Sequence, residues 1–222
     1  MLTVHHLNNS RSQRILWLLE ELEVNYEIKN YERDPKTMLA PKQLREIHPL
    51  GKAPVVTDEE HTVAESGAII EYIVDEYGEG RLRPEPDSAE FQRYRYWMHY
   101  AEGSAMNPFL LHIVFDQLPK QGPWLARPVL GAVSKTVNDE YISGQVELHM
   151  SYWEVELSKR PYFAGHEFTA ADIQMSFPLE AALARGADRD LYPNIHAQVE
   201  KLHERPAYDR ALERGGEYAL AF

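Results

Sequence analysis

The chain has 222 residues, of which 44% are hydrophobic and 11% aromatic, enough apolar material for two small packed domains or one large one. Its formal net charge is −12 with no long basic run, so nucleic acid and anionic membranes are not expected partners. The absence of cysteine excludes disulfide bonds, zinc–thiolate sites and a dithiol mechanism. The start, MLTVHHLNNSRSQR, lacks a signal pattern and no apolar run reaches membrane-spanning length, so we expect a cytoplasmic protein.

The first part of the chain alternates strand and helix patterns. Residues 2–7 and 26–31 are typical of strands. Between them a helix is predicted to open at Ser10, because Ser10 and Gln13 fit a capping box. A looser helical connection follows over residues 34–47. This order implies a parallel pair of strands joined by a right-handed crossover.

The next segment predicts a hairpin followed by a helix. The strands are Ala53–Thr57 and Thr62–Glu65, and the helix opens at Ser66. Pro54 stands at the head of a strand, where its missing N–H is tolerated. Glu65 and Ser66 lie where free backbone N–H groups and the helix dipole favour anions. An ordinary hairpin with Ser66 as N-cap is the alternative interpretation.

The spacing GKAPVV followed by AESGAI resembles the glutathione half-site of the soluble glutathione transferases. In that family a thioredoxin-like domain presents a cis proline and a Glu/Asp-Ser step to the tripeptide. The resemblance implies an N-terminal α/β thioredoxin-like domain of order βαβαββα, followed by an all-α C-terminal helical domain. It also implies glutathione as co-substrate, a small hydrophobic electrophile as second substrate, and a homodimer.

Five residues are predicted to bind glutathione. The proline ring holds Ala53 extended before Pro54, so that its backbone can pair with the ligand as an added strand would. Glu65 is placed to meet the ligand ammonium, whereas Ser66 and the helix N-terminus meet its α-carboxylate. Lys52 reaches the carboxylate at the other end.

Ser10 is predicted to be the catalytic residue. In transferases of the serine type, a hydroxyl four residues before an arginine donates to the glutathione sulfur, and here that spacing gives Ser10 and Arg14. Stabilising the thiolate lowers the thiol pKa from about 8.5 towards neutrality, and the thiolate is the nucleophile. A plain N-cap role stays open for Ser10, and Asn9 and Ser12 are alternative contacts to the sulfur.

Chain breakers concentrate between α/β and helical patterns, at YGEG and RPEP. We therefore divide the chain into a thioredoxin-like domain at 1–78, a linker at 79–87 and a helical domain at 88–222. A first long helix is predicted from residues 87–88 towards Met106, with Pro108 bending or breaking it, and a second from about residue 128 to residue 158.

The helical part contains further motifs. Thr169 and Asp172 fit a capping box with a structural role, and Pro193 and Pro206 each open a late helix. On the first long helix, which walls the electrophile site in the family, one set of residues is a candidate hydrophobic pocket with a core role as the alternative: Tyr100, Met106 and Phe109. Glu102 is a candidate contact to a neighbouring subunit's glutathione. The histidines lack metal-ligand spacing, so no metal site is predicted.

The sequence therefore predicts a detoxifying glutathione transferase of the serine type, similar to bacterial and fungal members. Its bound thiolate attacks hydrophobic electrophiles, or begins peroxide or disulfide reduction. The alternative is a protein of the same fold that binds ligands or partners with slow or no turnover. The sequence leaves open the class, the electrophile and the choice among the three reactions.

Overall fold

A four-stranded mixed sheet forms the centre of the N-terminal half, in a computed structural model that describes residues 1–35, 37, 39–216 and 218. The strand order is β2-β1-β3-β4, with β1 parallel to β2 and the other two pairs antiparallel. The strands are β1 (Leu2–Leu7), β2 (Tyr26–Tyr31), β3 (Val55–Thr57) and β4 (Thr62–Ala64). The helices of this half are α1 (Gln13–Glu21), α2 (Leu44–Ile47) and α3 (Ser66–Tyr77). The predicted thioredoxin-like order βαβαββα is confirmed.

Helix α1 is buried on nearly all sides, because its apolar residues run without interruption over ILWLL rather than along one stripe. It packs against the sheet, α3 and two later helices, α8 (Ala170–Ala184) and α10 (Pro206–Gly215). The close approach of α10 depends on a glycine, since a Cβ at Gly215 would lie 2.7 Å from the Leu16 side chain. The helix therefore belongs to the cores of both halves of the molecule.

The predicted start of α1 is wrong. The helix begins at Gln13, with Ser12 in the N-cap position. The preceding residues turn through Asn9, whose φ is +47°, and the Ser10 hydroxyl accepts a hydrogen bond from the Ser12 N–H at 3.2 Å. Because the Ser10 side chain is used inside this turn, it does not cap the helix with Gln13.

The β3–β4 turn is fixed to α3 by one carboxylate, that of Asp58. It accepts hydrogen bonds from the N–H groups of Glu60 at 2.9 Å and His61 at 2.7 Å, and from the hydroxyls of Tyr72 and Tyr77. The Tyr72 hydroxyl and these N–H groups hold the pKa of Asp58 well below its usual range. The hairpin is thereby held in register against the helix that follows it.

The C-terminal half consists of helices. They are α4 (Ala89–Tyr100), α5 (Met106–Gln121), α6 (Arg127–Val137), α7 (Ser143–Lys159), α8 (Ala170–Ala184), α9 (Pro193–His203) and α10 (Pro206–Gly215). The prolines predicted to open the last two helices are confirmed in that place. No helix in the described ranges combines the length and the apolar character needed to cross a membrane.

Two π-helical segments interrupt the long helices. Ala101–Ala105 joins α4 to α5, and Asn138–Ile142 joins α6 to α7. The chain stays helical through Pro108 to Gln121, so a break of the helix at Pro108 is excluded. The predicted bend there stays a prediction. The proline ring clashes with the carbonyl four residues earlier in an α-helix, and the wider π turn just before Pro108 relieves that clash.

The capping box at the start of α8 is confirmed. Asp172 is fully buried and accepts hydrogen bonds from the Thr169 N–H at 2.9 Å, the Thr169 hydroxyl at 3.0 Å and the Phe163 N–H at 2.9 Å. Burial raises the pKa of Asp172 to about 6, although all three donors act to lower it. The carboxylate therefore has a structural role, as the sequence indicates.

We expect Asp172→Ala to lower the free energy of unfolding by about 3 kcal/mol or more, because it leaves three buried donors without an acceptor. Urea denaturation followed by circular dichroism measures this change. Asp87→Ala, at an exposed residue before α4, is the matched control and should be neutral. Equal midpoints for the two variants would contradict the assigned role.

Candidate functional site

A cleft lies between the end of the sheet and the junction of α4 with α5. Ten described residues line it: Arg11, His48, Leu50, Lys52, Ala53, Pro54, Ala64, Glu65, Ser66 and Glu102. All five residues that the sequence predicts to bind the ligand are among them. The structure thus brings together side chains from the hairpin, the start of α3 and the helical half.

One wall of the cleft is formed by the segment just before β3. The Ala53–Pro54 peptide bond is cis, as the resemblance implies. The strand that follows is tied to β1, since Val55 pairs with His5. The backbone of Ala53 is consequently presented at the head of a strand, next to the exposed side chain of Lys52.

The opposite wall is formed where β4 gives way to α3. Glu65 has φ +72° and ψ 124°, a conformation that costs a non-glycine residue about 1–3 kcal/mol and that is found mainly at functional sites. Ser66 is the first residue of α3 and is only 4% exposed. Its hydroxyl has no hydrogen-bond partner among the residues that the structure describes. This helix start offers free backbone N–H groups and the positive end of the helix dipole to an anion.

A chain of buried hydroxyls lies behind the start of α1. Ser10 and Ser12 are 5% and 0% exposed, and their Oγ atoms are 2.7 Å apart. Ser12 Oγ also lies 2.9 Å from His6 Nδ1, accepts from the Leu7 N–H at 3.2 Å and lies 3.2 Å from the Leu7 carbonyl oxygen. Burial lowers the pKa of His6, which favours its neutral imidazole. Ser12 therefore ties α1 to β1.

The two serines differ in what they can offer a ligand. Ser12 carries one proton and has three acceptors within reach, so its hydroxyl is committed to the protein. When Ser12 donates to Ser10, the Ser10 hydroxyl keeps its own proton for a ligand atom. Ser10 does not itself line the cleft, but it directly precedes Arg11, which does. Asn9 is exposed, and its carbonyl accepts from Arg33 at 3.2 Å.

Two arginines and one carboxylate meet at the floor of the cleft. Arg14 is 2% exposed, and donates to the Gln174 carbonyl at 2.6 Å and to Glu102 at 2.5 Å. Arg11 Nε lies 3.1 Å from the other oxygen of Glu102. Burial opposes the charge of Glu102, but Arg14 and then Arg11 outweigh it, and its pKa falls below the ordinary value. This cluster joins the start of α1 to the helical half.

The structure places Glu102 in the cleft of its own chain. Its contact with a neighbouring subunit's glutathione stays a prediction. Glu102 lies on the π-helical segment Ala101–Ala105, and π-bulges are frequent at functional sites because they redirect side chains. Its contact with Arg14 spans 88 positions of the sequence, so no local spacing reveals it.

The three aromatic and apolar candidates for the second-substrate pocket do not line this cleft. Tyr100 is 8% exposed and accepts from the Trp153 indole at 3.0 Å, and Met106 is 4% exposed. Phe109 is fully buried and stacks on Trp153 with ring centroids 6.1 Å apart. These side chains fill the space between α4, α5 and α7, so the core interpretation describes their packing.

Sequence reasoning missed four lining residues. Arg11 is a charged group of the cleft, and Leu50, Ala64 and His48 complete its rim. Arg11 carries one available signal, since it directly follows the predicted catalytic serine. Among the described residues no group of three or more His, Cys, Asp or Glu side chains is arranged to hold a metal ion.

Comparisons with known proteins agree with this geometry. The family model "Glutathione S-transferase, N-terminal domain" matches residues 1–75, and "Glutathione S-transferase, C-terminal domain" matches residues 132–206. Glutathione S-transferase 3 of Schizosaccharomyces pombe is 39% identical over 214 residues, which cover 96% of this chain and 88% of that protein. Glutathione S-transferase 1 of Saccharomyces cerevisiae is 32% identical, over 96% of this chain and 95% of that protein.

A solved structure is similar over the whole chain. It is a glutathione S-transferase from Actinobacillus pleuropneumoniae, with a TM-score of 0.83 and 35% sequence identity. The match covers 100% of this chain and 95% of that one. The likeness therefore includes both the α/β half and the helical half.

Ser12→Ala and Ser10→Ala form a matched pair that tests which serine is structural. We expect Ser12→Ala to cost about 1–3 kcal/mol of unfolding free energy, because it leaves the buried Leu7 N–H without its acceptor. Ser10→Ala should cost less, about 1 kcal/mol, because it removes the two contacts of Ser10 with Ser12 and leaves the ties of Ser12 to β1 intact. Thermal or urea unfolding measures both, and a larger loss for Ser10→Ala would reverse the assignment.

Proposed function

The chain belongs to the glutathione S-transferase family, and from that premise we propose how its cleft binds glutathione and activates the thiol. The protein is a glutathione transferase. The observation that supports the proposed binding mode is the convergence of five predicted residues, with the cis Ala53–Pro54 peptide, on one cleft.

Glutathione carries an ammonium, two carboxylates and a thiol along an extended backbone. We assign the ammonium to Glu65 and the neighbouring α-carboxylate to Ser66 and the N-terminus of α3, since charge-assisted hydrogen bonds are the strong ones. The backbone of Ala53 pairs with the central cysteinyl unit as an added strand would. Lys52 pairs with the carboxylate at the glycine end.

The central thiol then lies towards the start of α1, where we assign Ser10 as the hydrogen-bond donor to sulfur. A donor that favours the thiolate lowers the thiol pKa, and each unit corresponds to about 1.4 kcal/mol of preferential stabilisation. The thiolate forms a bond to the electrophilic carbon, and the leaving group departs with the electron pair of the broken bond. The cleft thus supplies binding, orientation and a stabilised nucleophile.

We propose conjugation of a small hydrophobic electrophile as the reaction. The chain has no cysteine, so reduction of a peroxide or a disulfide would require a second glutathione to resolve the oxidised sulfur. A cytoplasmic location, a role in detoxification and a homodimeric state are proposed on the strength of family membership. The competing possibility, a ligand carrier of the same fold, predicts a bound thiol with an unshifted pKa.

We expect Ser10→Ala to raise the pKa of bound glutathione by about one to two units, because it removes a hydrogen bond of about 1.5–3 kcal/mol to a charged sulfur. The ultraviolet absorbance of the thiolate, titrated against pH, measures this pKa directly. The value of kcat/KM towards a chlorodinitrobenzene should fall about 10- to 100-fold at neutral pH and recover at alkaline pH.

Ser158→Ala is the control for that experiment, since Ser158 is an exposed residue at the end of α7. Its thiol pKa and kcat/KM should equal those of the unmodified protein. A bound thiol whose pKa matches that of free glutathione in the unmodified protein would favour the carrier function instead.

Glu65→Gln tests the assignment of the ligand ammonium. We expect the Kd for glutathione to rise about 10- to 100-fold, because a charge-assisted hydrogen bond contributes about 1.5–3 kcal/mol, while the pKa of the bound thiol stays unchanged. Isothermal titration calorimetry measures the affinity. Glu60→Gln, in the exposed β3–β4 turn, is the matched control and should bind normally. Similar affinities for the two variants would remove Glu65 from the site.

A further inference from the structure

We propose that Arg11 is a further catalytic residue: its guanidinium contacts the glutathione sulfur and, together with Ser10, stabilises the thiolate. The inference rests on the proposed function of the cleft, because it names a second group acting on the same sulfur. It is carried by the position of Arg11 in the cleft and by an imbalance of charge around it.

Arg11 is placed where a ligand can reach it. It lines the cleft together with Pro54 and Ser66, and its side chain is 36% exposed. The guanidinium carbon lies 5.1 Å from the centroid of the Phe177 ring, which holds the side chain against α8. Its backbone adjoins that of Ser10, so the two side chains leave the chain at the same turn.

Arg11 and Arg14 both lie next to the Glu102 carboxylate, but they differ in how many of their nitrogens are hydrogen-bonded. Arg14 uses two of its nitrogens in hydrogen bonds, one to Glu102 and one to the Gln174 carbonyl. Arg11 Nε is near Glu102, at 3.1 Å, but is not aligned as a hydrogen bond, and it has no other hydrogen-bond partner among the described residues. Among the described residues, both terminal nitrogens of Arg14 are therefore used inside the protein, and its remaining unpartnered donor, Nε, is buried. Arg11 keeps its terminal nitrogens for a ligand in the cleft that it lines.

Counted over the part of the chain that the structure describes, this end of the cleft has one positive charge in excess. Two guanidinium groups face the single carboxylate of Glu102, and burial lowers the pKa of Arg11 without discharging it. Glu65 is the next acidic group, and the proposed binding mode assigns it to the ligand ammonium. A cation with partial burial and incomplete pairing is stabilised by an incoming anion.

The sulfur is the ligand anion that still lacks a charged partner. In the proposed binding mode one carboxylate of glutathione meets Ser66 and the α3 N-terminus, and the other meets Lys52. The thiolate has only the neutral hydroxyl of Ser10. Since Arg11 and Ser10 are adjacent, assigning the unpaired cation to the thiolate completes the match of charges between ligand and cleft.

The test compares Arg11→Gln with Arg11→Lys in the whole 222-residue chain. We expect Arg11→Gln to raise the pKa of bound glutathione by about one unit or more, since an opposite charge within about 4–6 Å shifts a pKa by that much. Arg11→Lys keeps the charge and should restore at least about half of the shift. The thiolate absorbance titration reports both values.

S-methylglutathione, which carries both carboxylates and no ionisable sulfur, separates the sulfur from the carboxylates. Its Kd, measured by calorimetry, should change less than about twofold in Arg11→Gln if Arg11 serves the thiolate. A large loss of S-methylglutathione binding with an unchanged thiol pKa would assign Arg11 to a carboxylate and overturn the inference.

We expect Glu102→Gln to change the pKa of bound glutathione in the opposite direction to Arg11→Gln. Removing the shared carboxylate leaves both guanidinium groups unneutralised, so the pKa of bound glutathione should fall, by about half a unit or more. If that variant does not fold, the comparison of Arg11→Gln with Arg11→Lys decides alone.

If the unmodified protein binds glutathione with a lowered thiol pKa and Arg11→Gln keeps that pKa, the inference about Arg11 is refuted and the proposed function stands. An unmodified protein that binds no glutathione refutes the proposed function.

Discussion

The buried guanidinium of Arg14 couples the two halves of the molecule. It is held at the start of α1 by the Gln174 carbonyl and by Glu102, both of which belong to the helical half. Removing an ion from water costs several kcal/mol, and the cost is offset only when the partners are well placed. The α/β half therefore cannot keep Arg14 buried on its own. Because α1 begins just after Ser10 and Arg11, the contact that fixes the halves also fixes one wall of the cleft.

The far end of α1 is held by a second set of ion pairs. Glu21 accepts two hydrogen bonds from Arg205, at 2.6 and 2.8 Å, in the bidentate geometry that arginine favours. Glu20 is paired with Arg210 and Arg214 of α10. The body of the helix is apolar, so the helix is anchored by charges at its two ends and by packing between them. Such an arrangement fixes both the position of α1 along the sheet and its rotation. The turn at Ser10 is therefore also held in place, because it directly precedes α1.

Local signals predicted the parts of the fold and site that depend on neighbours in sequence. The Ala53–Pro54 step, the start of α3 at Ser66 and the Thr169–Asp172 capping box each depend on backbone geometry over a few residues. The helix start at Gln13 was missed because the Ser10 hydroxyl bonds to Ser12 instead of capping the helix.

Features that depend on distant residues could not be found in this way. The burial of Tyr100 and Phe109 depends on Trp153 of α7, which contacts both from a distant part of the sequence. The pairing of Arg14 with Glu102 bridges two halves of the chain, and the π-helical turn that aims Glu102 has no sequence signature.

The overall net charge of −12 does not predict the charge of the cleft. At physiological ionic strength charges are screened over about 8 Å, so the groups that decide whether an anionic peptide binds are those lining the cleft. There the cations Arg11 and Lys52 stand beside Glu65 and Glu102, with the buried charge of Arg14 behind them. An acidic protein can thus present a local site for an anionic thiol, and the sign of that site follows from which carboxylate the fold brings to the two arginines.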